Sequence, residues 1–349
     1  MADHFYVTTP IYYVNAAPTL GAFYTTVIAD AFARYHRARG HQTFFLTGTD
    51  EHGQKIERAA KEAGVSPKAF CDQVVEKFKK TWARSEITND RFIRTTDADH
   101  YAAVEQMWKR IEKKGDFYEA EYDALYCVGC EGWKTDDDVI LVNGEKVCPL
   151  HQKPVERVKE KNWFFRLSRY ADQLLALYER PGWIRPETRK NEVAEFVKSG
   201  LRDLSVSRPT VKWGIPVPGE PKQTVYVWLD ALTNYLTAIG GPEKVANDAE
   251  ARALWTSCTH LIAKDIVRFH AVYWPAFLMS AELPLPKAIF CHGYLTVKGQ
   301  KISKALPATR VDPNAIADEM GTIDPLRYFV LREYTFGADG DFTYEALLQ

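Results

Sequence analysis

Four soft metal-ligating residues stand in two close pairs: Cys127 and Cys130 in CVGC, and Cys148 and His151 in CPLH. The pattern C-x2-C-x17-C-x2-H makes two knuckles with a hairpin-like stretch, LVNGEKV (141–147), between them. Three thiolates and one imidazole suit tetrahedral Zn2+, and four protein ligands leave no open position for catalysis. The expected role is therefore structural, pinning a lobe too small to be held by its own core. Four unrelated buried residues would rarely fall into paired spacing on both sides. The neighbouring acidic run TDDD (135–138) reads as a solvated face. The remaining cysteines, Cys71, Cys258 and Cys291, are scattered and read as small buried apolar residues, with no disulfide expected.

A second candidate for chemistry is AAPTLGAFY (16–24). It follows the apolar-aromatic run HFYVTTPIYYV (4–14) and precedes the amphipathic TTVIADAFARYHRA (25–38). A strand, a turn and a helix start form the usual frame of a nucleotide-phosphate site. Such a site normally presents donors to phosphate, and here the turn offers Thr19, Gly21 and Ala22.

The elements that position these residues alternate. QTFFLTGTD (42–50) ends in a carboxylate, and the helical stretches 54–64 and 67–86 follow it. A later block repeats the alternation in TVYVWLDALTNYLTAIG (224–240), THLIAKDIVRFHAVYWPAFLMSA (259–281) and KAIFCHGYLTV (287–297). Short strands alternating with helices predict an α/β fold, a doubly wound parallel sheet. Between the blocks, over roughly 116–223, the composition changes to the Cys/His cluster and the Pro-rich GIPVPGEPK (214–222). One nucleotide fold split by an insertion is the economical reading. Past 298 the text turns polar and loop-like, then helical in DPLRYFVLREY (324–334), and it stops at YEALLQ as if another helix were under way.

At 349 residues the chain has room for two or three domains. With 45 basic and 46 acidic residues its net charge is −1, so no global field draws nucleic acid and any polyanion contact is local. There is no run of about 18 apolar residues to cross a membrane and no evident signal peptide, which leaves the cytoplasm as the expected compartment.

Taken together, TTPIYYVN (8–15), TGTDEHGQKI (47–56), NWFFRLSRY (162–170), RKNEVAEFVKSGLRDLSVSR (189–208), VYVWLDALTNY (225–235), KDIVRFHAVYWPAFL (264–278) and KISKA (301–305) resemble the class I aminoacyl-tRNA synthetases, specifically the methionyl family. The resemblance implies a Rossmann-type nucleotide domain in two halves, 1–115 and 224–297. A zinc-bearing connective insert (116–223) separates them, and a lysine-loop and stem-contact segment (298–349) follows. The family's C-terminal anticodon-binding bundle is expected to be absent. The implied reaction is activation of L-methionine by ATP with Mg2+ to methionyl-adenylate, then transfer to tRNA.

By this resemblance the methionine pocket comprises Ile11, Tyr13, Asp50, Trp228, Tyr235, Ile266 and His270. The chemistry is coherent: Trp228 and Tyr13 supply polarizable walls for a thioether, and Asp50 pairs the substrate ammonium. His270 or Tyr235 is expected to present a donor to the sulfur. On the nucleotide side, the family's first signature places two histidines around a Leu/Ile-Gly pair. Here Leu20 and Gly21 match, while the imidazole positions hold Thr19 and Ala22. Those imidazoles stabilise charge as pyrophosphate leaves. Further departures are Ala263, where the family has glycine before Lys264-Asp265, and Ala305, where the lysine loop closes with serine. Asp265 is kept for the ribose, and Lys301 and Lys304 for the triphosphate. All four departures fall on the ATP side, so adenylation is expected to be impaired. The alternative is a methionine-binding pseudoenzyme, or a paralogue using methionine or methionyl-tRNA without ATP. The basic clusters VERVKEKN (155–162) and RPETRK (185–190) read as solvated faces, with contact to the tRNA acceptor stem as the alternative.

Overall fold

The computed structural model describes residues 3–129, 132–150, 152–302 and 311–349. The aromatic and β-branched run at the N-terminus forms β1 (His4–Thr8), breaks at Pro10, which has no N–H to give a ladder, and resumes as β2 (Tyr12–Tyr13). Helix α1 (Leu20–Ala38) starts from Thr19, whose backbone is extended, so the turn ends one residue before the Leu-Gly pair. Next come β3 (Gln42–Asp50), α2 (Gln54–Glu62) and α3 (Pro67–Arg84). Helix α3 is capped by Ser66, which accepts from the Ala69 amide at 3.2 Å, with Pro67 in the first turn. Strand β4 (Arg91–Arg94) and helix α4 (Ala98–Lys114) complete the first half.

The next stretch builds antiparallel structure: β5 (Phe117–Cys127), β6 (Gly132–Lys134), β7 (Ile140–Val142), β8 (Glu145–Cys148), β9 (Lys153–Pro154) and β10 (Glu156–Phe165). Strands β5 and β10 pair from Phe117↔Phe165 to Tyr126↔Glu156. The β7–β8 hairpin turns on Asn143 and Gly144, both at positive φ, the pair a two-residue turn favours. Helix α5 (Ala171–Tyr178), β11 (Ile184–Arg185) and α6 (Glu187–Lys198) follow, then β12 (Leu204–Ser205), β13 (Ser207–Arg208), β14 (Pro216–Val217) and β15 (Glu220–Val225). The second half contains α7 (Val227–Thr237), α8 (Pro242–Asn247), α9 (Ala249–Thr256), β16 (Cys258–Ala263), α10 (Trp274–Ser280) and β17 (Ala288–His292). A π-helical turn, Phe269–Tyr273, leads into α10. The last elements are β18 (Leu295–Val297), β19 (Gln300–Lys301), α11 (Pro313–Met320), α12 (Asp324–Arg332), β20 (Gly340–Asp341) and α13 (Tyr344–Leu347).

The main sheet runs β11-β17-β16-β1-β3-β2, with β4 also on β3, and every pairing in it is parallel. From β1 the chain goes to β3 and β4 on one side, then returns on the other side through β16 and β17. The reversal lies between β1 and β16, where parallel sheets hold ligands beyond the strands' carboxyl ends. Side chains alternate across the sheet: Phe5, Val7 and Phe45 enter one core with α1, α3 and α12, while Tyr6 and Leu46 enter another with α4, α7 and α10. Gly48 is required where β3 meets β4, because a Cβ there would lie 2.1 Å from the Ile93 carbonyl oxygen. One element within 116–223, β11, rejoins the main sheet at its edge, pairing Ile184 with Ile289.

Candidate active site

Asp50 ends β3 and stands in register with Tyr13 of β2, buried at the carboxyl end of the sheet. The backbone just beyond it is held firmly. The buried Glu51 carboxylate accepts two bonds from Arg94, at 2.6 and 2.8 Å, and one each from the hydroxyls of Thr49 and Thr96. The Glu51 amide donates to Thr95 Oγ1 at 2.9 Å. A carboxylate on so fixed a strand end is preorganised for a cation.

Helix α7 carries Trp228 and Tyr235, and the Asp50 charge reaches the Tyr235 phenol. Trp228 lies flat on Phe269, ring centroids 3.6 Å apart at 7°, and edge-on to His270. Ile11 and Ile266, half-buried, pack on the core cluster that contains Tyr235. Tyr13 carries the Lys55 ammonium 4.8 Å above its ring. The His270 tautomer follows from its partners. Nδ1 is 3.0 Å from the Ile266 carbonyl, which only accepts, so Nδ1 carries the hydrogen. Burial pulls His270 down to about 4, against the Ile266 carbonyl and the Asp265 charge, so the ring is neutral and Nε2 accepts from Tyr235 Oη at 2.7 Å. Burial raises the Tyr235 phenol, and the Asp50 charge adds to the effect. The sulfur donor expected from His270 or Tyr235 is thus not offered, because both hydrogens are committed inside the protein.

The residues expected on the nucleotide side begin with Thr19 and the first turn of α1. The Leu20 amide donates to the Val311 carbonyl at 3.2 Å, which ties the helix to the segment after the lysine loop. A Cβ on Gly21 would make only an ordinary van der Waals contact, with Thr19 Oγ1 at 3.7 Å. The Ala22 carbonyl accepts from the Thr26 hydroxyl at 2.8 Å. One turn in, Thr25 Oγ1 lies 2.8 Å from Nε2 of His292, whose Nδ1 donates to the Gly293 carbonyl at 2.7 Å. Burial lowers His292 to about 4, against the Gly293 carbonyl and the Asp265 charge. Asp265, on the exposed turn after β16, therefore acts on an imidazole of each half. Ala263 ends β16 at φ −80°, ψ 156°, ordinary extended backbone that does not call for glycine. Lys301 lies in β19, paired with Thr296. Its side chain, and all of Lys304 and Ala305, lie outside the described residues.

Beneath Asp50 sits a buried ionic cluster. Asp230 of α7 accepts from His52 Nδ1 and His100 Nε2, each at 2.7 Å. Burial opposes its ionisation, but the two imidazoles outweigh it and hold the carboxyl at about 2. His52, Arg208, Trp213 and Asp230 line a cavity of about 20 Å3, room for one water.

For the metal, Cys127 and Cys148 lie buried at the ends of β5 and β8, and the Gln152 amide turns back on the Cys148 carbonyl at 2.8 Å. Around them Ile140, Leu141, Val142 and Leu150 are exposed. Inward thiols in a lobe with so little core fit a structural Zn2+. Cys130 and His151 lie outside the described residues, and among the described residues no group of three or more His, Cys, Asp or Glu could hold an ion.

The model of the family "tRNA synthetases class I (M)" matches residues 5–154 and 141–349. The methionine–tRNA ligase of Thermotoga maritima is 49% identical over 345 residues, 99% of this chain and 54% of that protein. The Caldanaerobacter subterraneus enzyme is 50% identical over 349 residues, 100% of this chain and 53% of that protein. The chain belongs to the methionyl-tRNA synthetase family. It spans about half the length of these two relatives. Mycobacterium tuberculosis methionyl-tRNA synthetase in complex with methionyl-adenylate superposes with a TM-score of 0.95 at 46% identity, covering 99% of this chain and 67% of that one. The free-state form of the same enzyme gives 0.84 at 42%, covering 100% and 65%.

Against this family frame, the sequence reading passed over Phe269, His292, His52 and Arg208. The first two lie within runs read as strand or core, and the last two sit inside quoted motifs without a role. A signal was present for His292, a lone polar residue closing the apolar run in IFCHG. Among the described residues no helix is long and apolar enough to cross a membrane.

Proposed function

We propose that this chain is a methionyl-tRNA synthetase catalytic module, acting in the cytoplasm, that binds L-methionine and forms methionyl-adenylate from ATP with reduced efficiency. The observations that support it best are Asp50 fixed at a strand end, with its charge reaching the Tyr235 phenol, and the Trp228–Phe269 stack and Tyr235–His270 pair. Asp50 takes the ammonium, and the aromatic walls take the thioether. The substrate carboxylate attacks the α-phosphorus of ATP, and pyrophosphate leaves toward the start of α1, with Lys301 and Lys304 on the polyphosphate. Magnesium, when bound with ATP, offsets the phosphate charge. Thr19 gives at most one neutral hydrogen bond there and Ala22 none, where two imidazoles would stabilise the leaving charge. Ala263 adds a methyl toward the ribose, and Ala305 removes a lysine-loop hydroxyl. Asp265 remains for the ribose, and transfer to the tRNA acceptor end completes the reaction. Zn2+ on Cys127, Cys130, Cys148 and His151 stabilises the connective insert.

A second reading is favoured by one asymmetry, that all four departures lie on the nucleotide side: a methionine-binding pseudoenzyme or a paralogue that does not use ATP. Methionine-dependent pyrophosphate exchange by the unaltered protein separates the two. Exchange that saturates with methionine supports the ligase. Methionine binding without exchange supports the pseudoenzyme.

A further inference from the structure

Asp230 is a buried carboxylate bonded to two imidazoles that have no role assigned in either substrate site, and three elements meet on it. Its Oδ2 accepts from His52, two residues beyond Asp50 on the same loop. Its Oδ1 accepts from His100 on α4, and His100 Nδ1 contacts Thr237 Oγ1 at 2.9 Å. The far nitrogen of His52 lies 3.1 Å from Tyr101 Oη, also on α4. Asp230 itself stands on α7 between Trp228 and Tyr235. Asp230, His52 and His100 are each no more than 1% exposed.

We infer that Asp230 is a positioning residue for methionine: through His52 it fixes the Asp50 loop against α7, setting the gap between the ammonium carboxylate and the aromatic wall. The inference rests on the proposed methionine site. The two imidazoles then differ in role. His52 joins the two sides of the pocket directly. His100 joins α7 to α4, which carries no pocket residue, and so braces the helix pair without setting the gap. Asp230→Asn keeps the side-chain shape while removing the charge, and one imidazole can change tautomer to meet the new amide.

The test is calorimetric titration of the protein with methionine, without ATP, alongside thermal melting, for wild type, Asp230→Asn, His52→Gln and His100→Gln. Asp230→Asn and His52→Gln should weaken methionine by about tenfold or more, the scale of one charge-assisted bond. His100→Gln should lower Tm comparably while changing Kd by less than about threefold, within ordinary context effects. A merely structural cluster would instead move Kd in proportion to Tm in all three variants, and that result overturns the inference. So does an unmoved Kd in Asp230→Asn and His52→Gln when wild type binds. Failure of wild type to bind methionine overturns the proposed function, and the positioning role with it.

Discussion

In the proposed site Asp50 takes the ammonium and aromatic rings take the thioether, and the bonds on Glu51 hold the backbone next to Asp50 in place. Asp50→Ala would leave a substrate cation unpaired in a partly dry site, at a cost of about 2–3 kcal/mol or more. Methionine binding measured by calorimetry without ATP should fall below detection in this variant. Norleucine should bind the wild-type chain only modestly more weakly than methionine, since thioether and methylene are nearly isosteric and neither Tyr235 nor His270 has a hydrogen to offer the sulfur. A competition titration checks this; a preference above about a hundredfold would mean a sulfur donor exists. At this scale the sequence was legible for placement: Asp50 closes its strand and Trp228 lies on a helix, as their segments predict. It was not legible for Phe269 and His292, because an aromatic or a histidine within an apolar run has the same appearance whether it packs or recognises.

The lobe formed by β5 to β10 shows which elements depend on something besides packing. Its hairpin was readable from Asn143-Gly144, because that pair tolerates positive φ at both turn positions. What the pattern could not reveal is how little it buries: Leu141 and Leu150 are 72% and 77% exposed, while Val147 and Cys148 point inward. The proposed Zn2+ would supply the cross-link that so small a core lacks. Cys148→Ser should release about one zinc per chain, read by metal analysis. It should raise amide exchange across 116–160 while the main sheet keeps its protection. Protein purified without chelator and lacking zinc would contradict the assignment. The short β11 was missed for a different reason, since two residues carry no periodicity and its place is set by pairing with β17.

Over the whole molecule, the parallel sheet was legible because strand and helix patterns alternate in two blocks, and the crossing point between β1 and β16 follows from that order. The fold also buries neutral imidazoles on both sides of this point. His270 and His292 are held at about 4, and His260 well below its ordinary value, chiefly by burial. In the unfolded chain each titrates near about 6.5. Between those values the unfolded state binds protons that the native state refuses, so stability rises with pH across the window and is full above it. Urea melts should show a lower midpoint at pH 5 than at pH 7, with unchanged slope and uptake of about two to three protons on unfolding. Equal midpoints would mean that these rings are charged in the fold.

A methionine site beside a nucleotide site short of its phosphate donors is what the proposed function requires, and pyrophosphate exchange tests that pairing. Methionine-dependent pyrophosphate exchange should rise by roughly 10²-fold when Thr19→His and Ala22→His are introduced together, the scale of a lost transition-state donor. If the Ala263 methyl also blocks the ribose, the full rise appears only when Ala263→Gly is added. Exchange that stays at the wild-type level in the triple variant, while that variant still binds methionine, would contradict the account.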